Sequence, residues 1–274
     1  MKQKKEIVIY TLICLIITNI LWYIGYGLDE KNEGNIISLI LIYLASFIPA
    51  ILALIMCKIN KAKVKTLLIS PNLKKSWKIY LIAILTGLIM VYSTDIIPLL
   101  FYPKDVVLLT ENFSILFICK ILLFIIISIL GSVIYLGEEL GWMGYLFPKL
   151  EKQKGTILSI IIIAIIRTLW HIGIFLRMDN ILFAITNLFI SNLVLQSILV
   201  YFTKKSNSVF PSAIIHSITN LMIGLSFVSY TEEFYNANAI QFSLIGLIPL
   251  LIIGTIFLIL IIKDRKKFKN FKAD

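Results

Sequence analysis

Two histidines and two adjacent glutamates are the residues of this 274-residue chain whose types and positions could do chemistry. His171 and His216 are its only histidines, and Glu138-Glu139 is an acidic pair inside a long apolar stretch. An ionisable side chain at bilayer depth costs roughly 2.5–3.5 kcal/mol on insertion scales. Four such groups in apolar segments therefore indicate a polar site inside a membrane bundle.

Each of these residues, taken alone, also fits a structural role. The glutamates could mark a helix end that reaches the membrane surface, and His171 could hydrogen-bond a neighbouring helix. His216 and Asn220 are four residues apart, so they share a helix face and could bond another helix in the same way.

Taken together, these groups are the ones that a hydrolase uses. A carboxylate such as Glu138 can take a proton from water, and a histidine can orient that water or accept a proton. His216 or Asn220 can donate to a developing oxyanion. Glu138 and Glu139 point about 100° apart on a helix, so only one is expected to face the cavity.

The chemistry does not require a cofactor. Glu138, His171 and His216 could hold Zn²⁺, but the spacing H-E-x-x-H is absent. We therefore expect no cofactor, with Zn²⁺ on these three residues as the alternative. The three cysteines show no metal spacing and are expected to be packing residues.

The composition determines the class of protein that must position these groups. The chain is 59% hydrophobic and 15% charged, with a mean hydropathy of +0.95, whereas soluble domains are about 25% charged. Its apolar runs are continuous rather than alternating, which favours helices over a barrel. We predict an all-α polytopic membrane bundle, formed by one transmembrane domain over residues 1–274.

Eight transmembrane spans are predicted, at about 6–27, 36–57, 79–101, 118–148, 156–177, 181–202, 211–229 and 240–262. Most of the 26 lysines and arginines lie before the first span, after the even-numbered spans and after the last. This asymmetry predicts that both termini are cytoplasmic. It also assigns the net charge of +11 to anionic lipid rather than to nucleic acid. The abundance of Ile, Lys and Asn favours a bacterial plasma membrane.

The predicted spans also give approximate depths for the site. Pro148 is expected to end the fourth span, 10 residues or about 15 Å of helix beyond Glu138. His171 lies 15 residues into the fifth span, and His216 lies early in the seventh. These depths predict a cavity that is open towards the cytoplasm.

Three segments resemble the motifs of the CPBP intramembrane proteases, a family that includes the CAAX prenyl endopeptidases and the bacterial Abi proteins. The first motif is similar to residues 137–146 (GEELGWMGYL) and the second to residues 169–171 (LWH). The third is similar to the segment from Ser208 to His216 and Asn220. The resemblance covers about 112–222, which we take as the catalytic core.

The resemblance implies a function and a role for each matching residue. Glu138 resembles the carboxylate that activates water, His171 and His216 its catalytic partners, and Asn220 an oxyanion stabiliser. Glu139, Arg167 and Trp142 are supporting residues. The implied reaction is endoproteolysis of a peptide or membrane-protein substrate, linked in bacterial members to bacteriocin immunity and processing.

Two positions depart from the family pattern. The first motif would place Arg at 143, four residues after Glu139, where this chain has Met143. The second motif usually has an aromatic residue at the position of Arg167. We predict that Arg167 supplies the missing cation from another helix and pairs with Glu139. One turn from His171, it should face the same cavity.

Two other functions stay open at this point. The chain could be a non-catalytic relative that binds a peptide and confers immunity by sequestration, an alternative that Met143 supports. It could also be a proton-coupled transporter, because Glu and His relay protons in membranes. Paired halves and broken helices are not evident, which disfavours the transporter.

Overall fold

Helices make up nearly the whole described structure. The computed structural model describes residues 2–30, 33–108, 115–222, 225–264 and 268. The helices are α1 (Lys2–Asp29), α2 (Ile36–Ile59), α3 (Leu73–Ile96), α4 (Pro98–Phe101), α5 (Ile115–Glu139), α6 (Phe147–Lys154), α7 (Thr156–Trp170), α8 (Ile172–Phe175), α9 (Ile181–Ser206), α10 (Phe210–Leu221) and α11 (Glu232–Lys263). A 3₁₀ turn (Val64–Leu67) and a two-stranded ladder of β1 (Val107–Leu108) and β2 (Val228–Ser229) complete these elements.

The predicted all-α polytopic bundle is confirmed. Within the described residues, six helical segments are long and apolar enough to cross a membrane. The other two predicted spans contain shorter helices, α7 with 15 residues and α10 with 12. The count of eight spans stays a prediction. The cytoplasmic termini also stay a prediction, and residues 1, 223–224 and most of 265–274 lie outside the described residues.

The prediction that Pro148 ends the fourth span is wrong. After α5 the chain makes a π-helix over Leu140–Leu146 and continues into α6. The membrane helix therefore runs from Ile115 to Lys154. Pro148 lies in the first turn of α6, a position that tolerates the proline ring and the missing N–H. Single π turns inside α-helices are frequent at functional sites.

Three glycines of the first motif allow this long helix to approach its neighbours closely. A Cβ on Gly137 would lie 2.7 Å from the Ser46 carbonyl oxygen of α2, and one on Gly141 would lie 2.4 Å from Pro49. A Cβ on Gly144 would lie 2.5 Å from the carbonyl oxygen of Leu67 in the 3₁₀ turn. Small residues permit such backbone contact between membrane helices. The glycines thereby fix the position of Glu138 and Glu139.

The predicted fifth span does not continue as one helix through His171. Helix α7 ends at Trp170, and His171 forms the turn before α8. Asn19 of α1 satisfies the backbone groups at this break, because its amide nitrogen donates to Leu169 O at 3.1 Å and its oxygen accepts from Gly173 N at 2.6 Å. A helix end needs such partners when water is excluded.

An ion pair joins two loops at the end of the bundle where α1 ends and α9 begins. Arg177 donates from Nε to the Glu30 carboxylate at 2.8 Å, and its guanidinium lies 5.0 Å from the centre of the Tyr23 ring. The hydrogen bond from Arg177 lowers the pKa of the Glu30 carboxyl. Both groups are near water, so the pair contributes little to stability.

We expect the substitution Gly144→Ala to destabilise the protein. The added Cβ would collide with backbone rather than with a flexible side chain, and overpacking of this kind costs about 1–3 kcal/mol. A lower unfolding temperature in detergent is the expected measurement. Gly246→Ala is the control, since its Cβ would meet only Thr94, at 4.0 Å. Equal unfolding temperatures for Gly144→Ala and the parent would contradict this packing.

Candidate active site

A buried arginine lies at the centre of the site. Arg167 is 1% exposed. Its Nη1 lies 2.8 Å from Glu139 Oε1, and its Nη2 lies 3.7 Å from Glu138 Oε2. The predicted pairing of Arg167 with Glu139 across helices is therefore confirmed. It connects the end of α5 to the last turn of α7.

The two adjacent carboxylates have different surroundings. Glu139 Oε1 accepts from Arg167 Nη1 and contacts His216 Nδ1, each at 2.8 Å. Among the described residues, Glu138 contacts Arg167 at 3.7 Å and makes no hydrogen bond. The two ends of one guanidinium therefore reach both glutamates. Glu139 is held through Oε1 alone, because its Oε2 has no hydrogen-bond partner among the described residues.

His216 is paired with a different glutamate from the one expected. The sequence grouped it with Glu138, but its Nδ1 lies 2.8 Å from Glu139 Oε1. A ring that donates from Nδ1 carries its lone pair on Nε2. Arg167 Nη2 lies 3.3 Å from Nδ1 and 3.5 Å from Nε2 of the same ring. His216 therefore belongs to the group of side chains that holds Glu139.

His171 is fixed by the end of its own helix. Its Nδ1 lies 2.7 Å from the carbonyl oxygen of Arg167, one turn earlier. That carbonyl is in the last turn of α7, where helix geometry leaves oxygens without partners. The ring stacks on Trp22 with centroids 6.3 Å apart. Donation from Nδ1 leaves Nε2 as the nitrogen with a free lone pair.

The remaining predicted residues lie at the edge of the site or behind it. Asn220 is exposed, and its Nδ2 donates to His216 O at 2.9 Å. One amide hydrogen is used in this way, and the second stays free. Trp142 is fully buried, with Tyr10 and Trp170 packed edge-on against it. Trp142 supports the helix packing and does not line the cavity.

A cavity of about 470 Å³ lies beside this charged group. Arg167, His171, His216 and Asn220 line it, whereas Glu138 and Glu139 do not. The other walls come from α3, α9, the 225–230 segment and α11. Glu138 contacts Arg167, which is one of the lining residues.

The depths along the predicted spans placed the site towards the basic loops, but the walls of the cavity lie towards the other end of the bundle. Its wall includes Asp95 near the end of α3 and Ser226 and Tyr230 in the segment after α10. These elements lie at the opposite end of the bundle from the basic loops before α3 and after α9. The depths counted from the sequence were wrong for two reasons. His171 lies at the end of α7 that is far from the basic loops, and α10 is so short that His216 also lies near that end.

The geometry does not fit the zinc alternative. Among the described residues, no group of three or more His, Cys, Asp or Glu side chains could hold a metal ion. Glu139 and Arg167 engage His216, and the Arg167 carbonyl engages Nδ1 of His171. Glu138, His171 and His216 therefore do not converge on one point.

Several polar residues at the site were not anticipated from the sequence. Asn192 of α9 donates to Thr168 Oγ1 at 3.2 Å and lines the cavity. Gln196, one turn later, donates to Met143 Sδ at 3.0 Å. Asp95 accepts from Ser226 Oγ and Phe227 N, each at 2.6 Å. The polar pair at 192 and 196 in an apolar helix was a usable signal.

The fold and the site define a polytopic helical membrane protein with a buried ionic cluster beside a cavity. Residues 116–222 match the family of Rce1-like type II CAAX prenyl endopeptidases. This segment contains the ionic cluster and both histidines, and the match confirms the family resemblance. The match covers 107 of the 274 residues. No curated protein matches the chain.

Removing the central cation should be strongly destabilising. Arg167→Gln leaves Glu139 buried without its cation, and breaking a buried ion pair in this way costs about 3–5 kcal/mol. The double variant Arg167→Gln/Glu139→Gln removes both charges and should recover part of that loss. Unfolding in detergent measures both variants.

Arg177→Gln is the matched control, because it removes an arginine from an exposed ion pair and should change stability little. If the losses of stability caused by the Arg167 and Glu139 substitutions simply add in the double variant, the two residues are not coupled. The assignment of an ion pair between them is then wrong.

Proposed function

We propose that this protein is an intramembrane endopeptidase in which Glu138 activates water to cleave a peptide bond. The proposal rests on the different surroundings of the two adjacent carboxylates. Glu139 is bound by Arg167 and His216, whereas Glu138 lies beside the same cation with free acceptor positions. Glu139 Oε2 also lacks a partner, but Glu139 is 0% exposed and Glu138 is 5% exposed, so Glu138 is the carboxylate that water reaches more readily.

The proposed reaction combines Glu138 with groups that line the cavity. Glu138 takes a proton from water, and the resulting hydroxide forms a C–O bond to the substrate carbonyl carbon. The carbonyl oxygen becomes an oxyanion, which the free amide hydrogen of Asn220 and the Arg167 guanidinium stabilise. The C–N bond then breaks, and the proton on Glu138 passes to the leaving amine. His171 Nε2 can orient the water or carry this proton.

In the structure Arg167 lines the cavity and Glu138 does not, so the proposed reaction includes a movement that brings Glu138 into contact with the substrate. A substrate carbonyl at the cavity wall would draw the guanidinium towards itself. That movement would lengthen the 3.7 Å contact with Glu138 and admit water, while Nη1 keeps its bond to Glu139. We infer a peptide or membrane-protein substrate. We also infer a place in the bacterial plasma membrane, with bacteriocin immunity or peptide processing as the cellular role.

The substitution Glu138→Gln should abolish cleavage and preserve the fold. Gln has nearly the same shape and cannot accept the proton, and loss of general-base catalysis lowers rates by about 10²–10⁴-fold. Mass spectrometry of membrane peptides, with and without the substitution, measures processing. Glu232→Gln is the control, because this carboxylate is exposed at the start of α11. Survival of both peptide processing and immunity in Glu138→Gln would exclude catalysis.

A second function has one specific observation in its favour. Glu138 does not line the cavity, and such an arrangement also suits a protein that binds a peptide without cleaving it. In that case Glu138→Gln would retain immunity, and no peptide products would depend on Glu138 in the parent protein. The same pair of measurements therefore distinguishes the two functions.

A further inference from the structure

The end of the bundle at which the cavity opens can be identified from its walls. Helix α3 begins at Leu73, after the basic loop, and Asp95 lies near its other end. Ser226 and Tyr230 follow α10, which begins at Phe210 beside the basic residues that end α9. All three residues line the cavity. Its mouth is therefore at the end of the bundle that we call the acidic end, defined by residues 29–30, 33–35, 102–108, 176–180 and 225–232.

The opposite end, defined by residues 58–72, 149–156 and 204–209, is called the basic end. Hydrogen bonds from Asn72 to Ser206 and Asn207 connect its loops. It carries most of the loop lysines. The loops of the acidic end, with residues 31–32 counted from the sequence, have Lys31, Lys104 and Arg177 against Asp29, Glu30, Glu33, Asp105, Asp179 and Glu232. Lysine and arginine accumulate in cytoplasmic loops. The charge distribution therefore assigns the basic end to the cytoplasm.

These two observations together determine the direction from which a substrate reaches the site. We propose that the cavity opens to the non-cytoplasmic side, so that the substrates are peptide segments exposed outside the cytoplasm. These are exported peptides or the outer segments of membrane proteins. The substrate class rests on the proposed function, whereas the direction of opening rests on the structure and the charges alone. Carboxyl-terminal peptides confined to the cytoplasm would have no path to the mouth.

Contacts on two sides hold the segment that lines the mouth. Asp95 holds the 225–230 segment by accepting hydrogen bonds from Ser226 Oγ and Phe227 N. The ladder of β1 and β2 pairs Val107 with Ser229 and anchors the same segment from the other side. Inside the cavity, Ser191 and Asn192 of α9 and Thr219 of α10 provide polar walls. A peptide backbone can therefore descend from the mouth to Arg167 with polar groups beside it.

Serine-to-cysteine substitutions at three depths test the direction of opening. The exposed Cys119 is first replaced by serine, and the buried Cys14 and Cys57 remain. Ser191→Cys places a thiol inside the cavity, Ser229→Cys places one on β2 at the acidic end, and Ser70→Cys places one in the exposed basic loop. A membrane-impermeant maleimide is then applied to intact cells and to permeabilised cells.

We expect labelling of Ser191→Cys and Ser229→Cys in intact cells, and of Ser70→Cys only after permeabilisation. The reverse pattern would place the mouth in the cytoplasm and overturn the proposal. Labelling of Ser229→Cys without Ser191→Cys would also overturn it, because the cavity would then be closed from that side. The labelling needs no catalysis and is repeated in Glu138→Gln. A failed direction is thus distinguishable from a failed protease assignment.

Discussion

A guanidinium buried in an apolar bundle is the constraint on which the rest of this structure depends. Removing an ion from water costs several kcal/mol even after relaxation, and this cost is offset only by close partners of opposite charge. Arg167 is 1% exposed and has two carboxylates within 4 Å. The helices that carry these groups must therefore stay in register, so the ionic cluster and the bundle stabilise each other.

The same constraint gives the site its asymmetry. One guanidinium cannot bind two adjacent carboxylates equally when His216 also contacts Glu139. Glu139 becomes the fixed anion of the cluster, and Glu138 becomes the carboxylate that can change partners. The glycines at 137, 141 and 144 hold this part of the helix against α2 and the 3₁₀ turn. A structural anion beside an available one is the arrangement that the proposed protease needs.

The sequence predicted those features that the chemistry of the side chains strongly constrains. The apolar runs predicted the all-α membrane bundle, and the cation missing at Met143 pointed to the Arg167–Glu139 pair. The π-helix and the continuation through Pro148 could not be foreseen, because they depend on contacts with residues far along the chain. The end of the bundle at which the cavity lies was predicted wrongly for a related reason. Depth counted along straight helices ignores the break at His171 and the short α10.

The central claim is that Glu138 is the available carboxylate and Glu139 the bound one. Dicyclohexylcarbodiimide, an apolar reagent that modifies carboxyl groups within membranes, tests it directly when the modified residue is located by mass spectrometry. We expect modification of Glu138, with Glu139 protected by Arg167 and His216. Modification of Glu139 in the folded parent protein, with Glu138 unmodified, would contradict it.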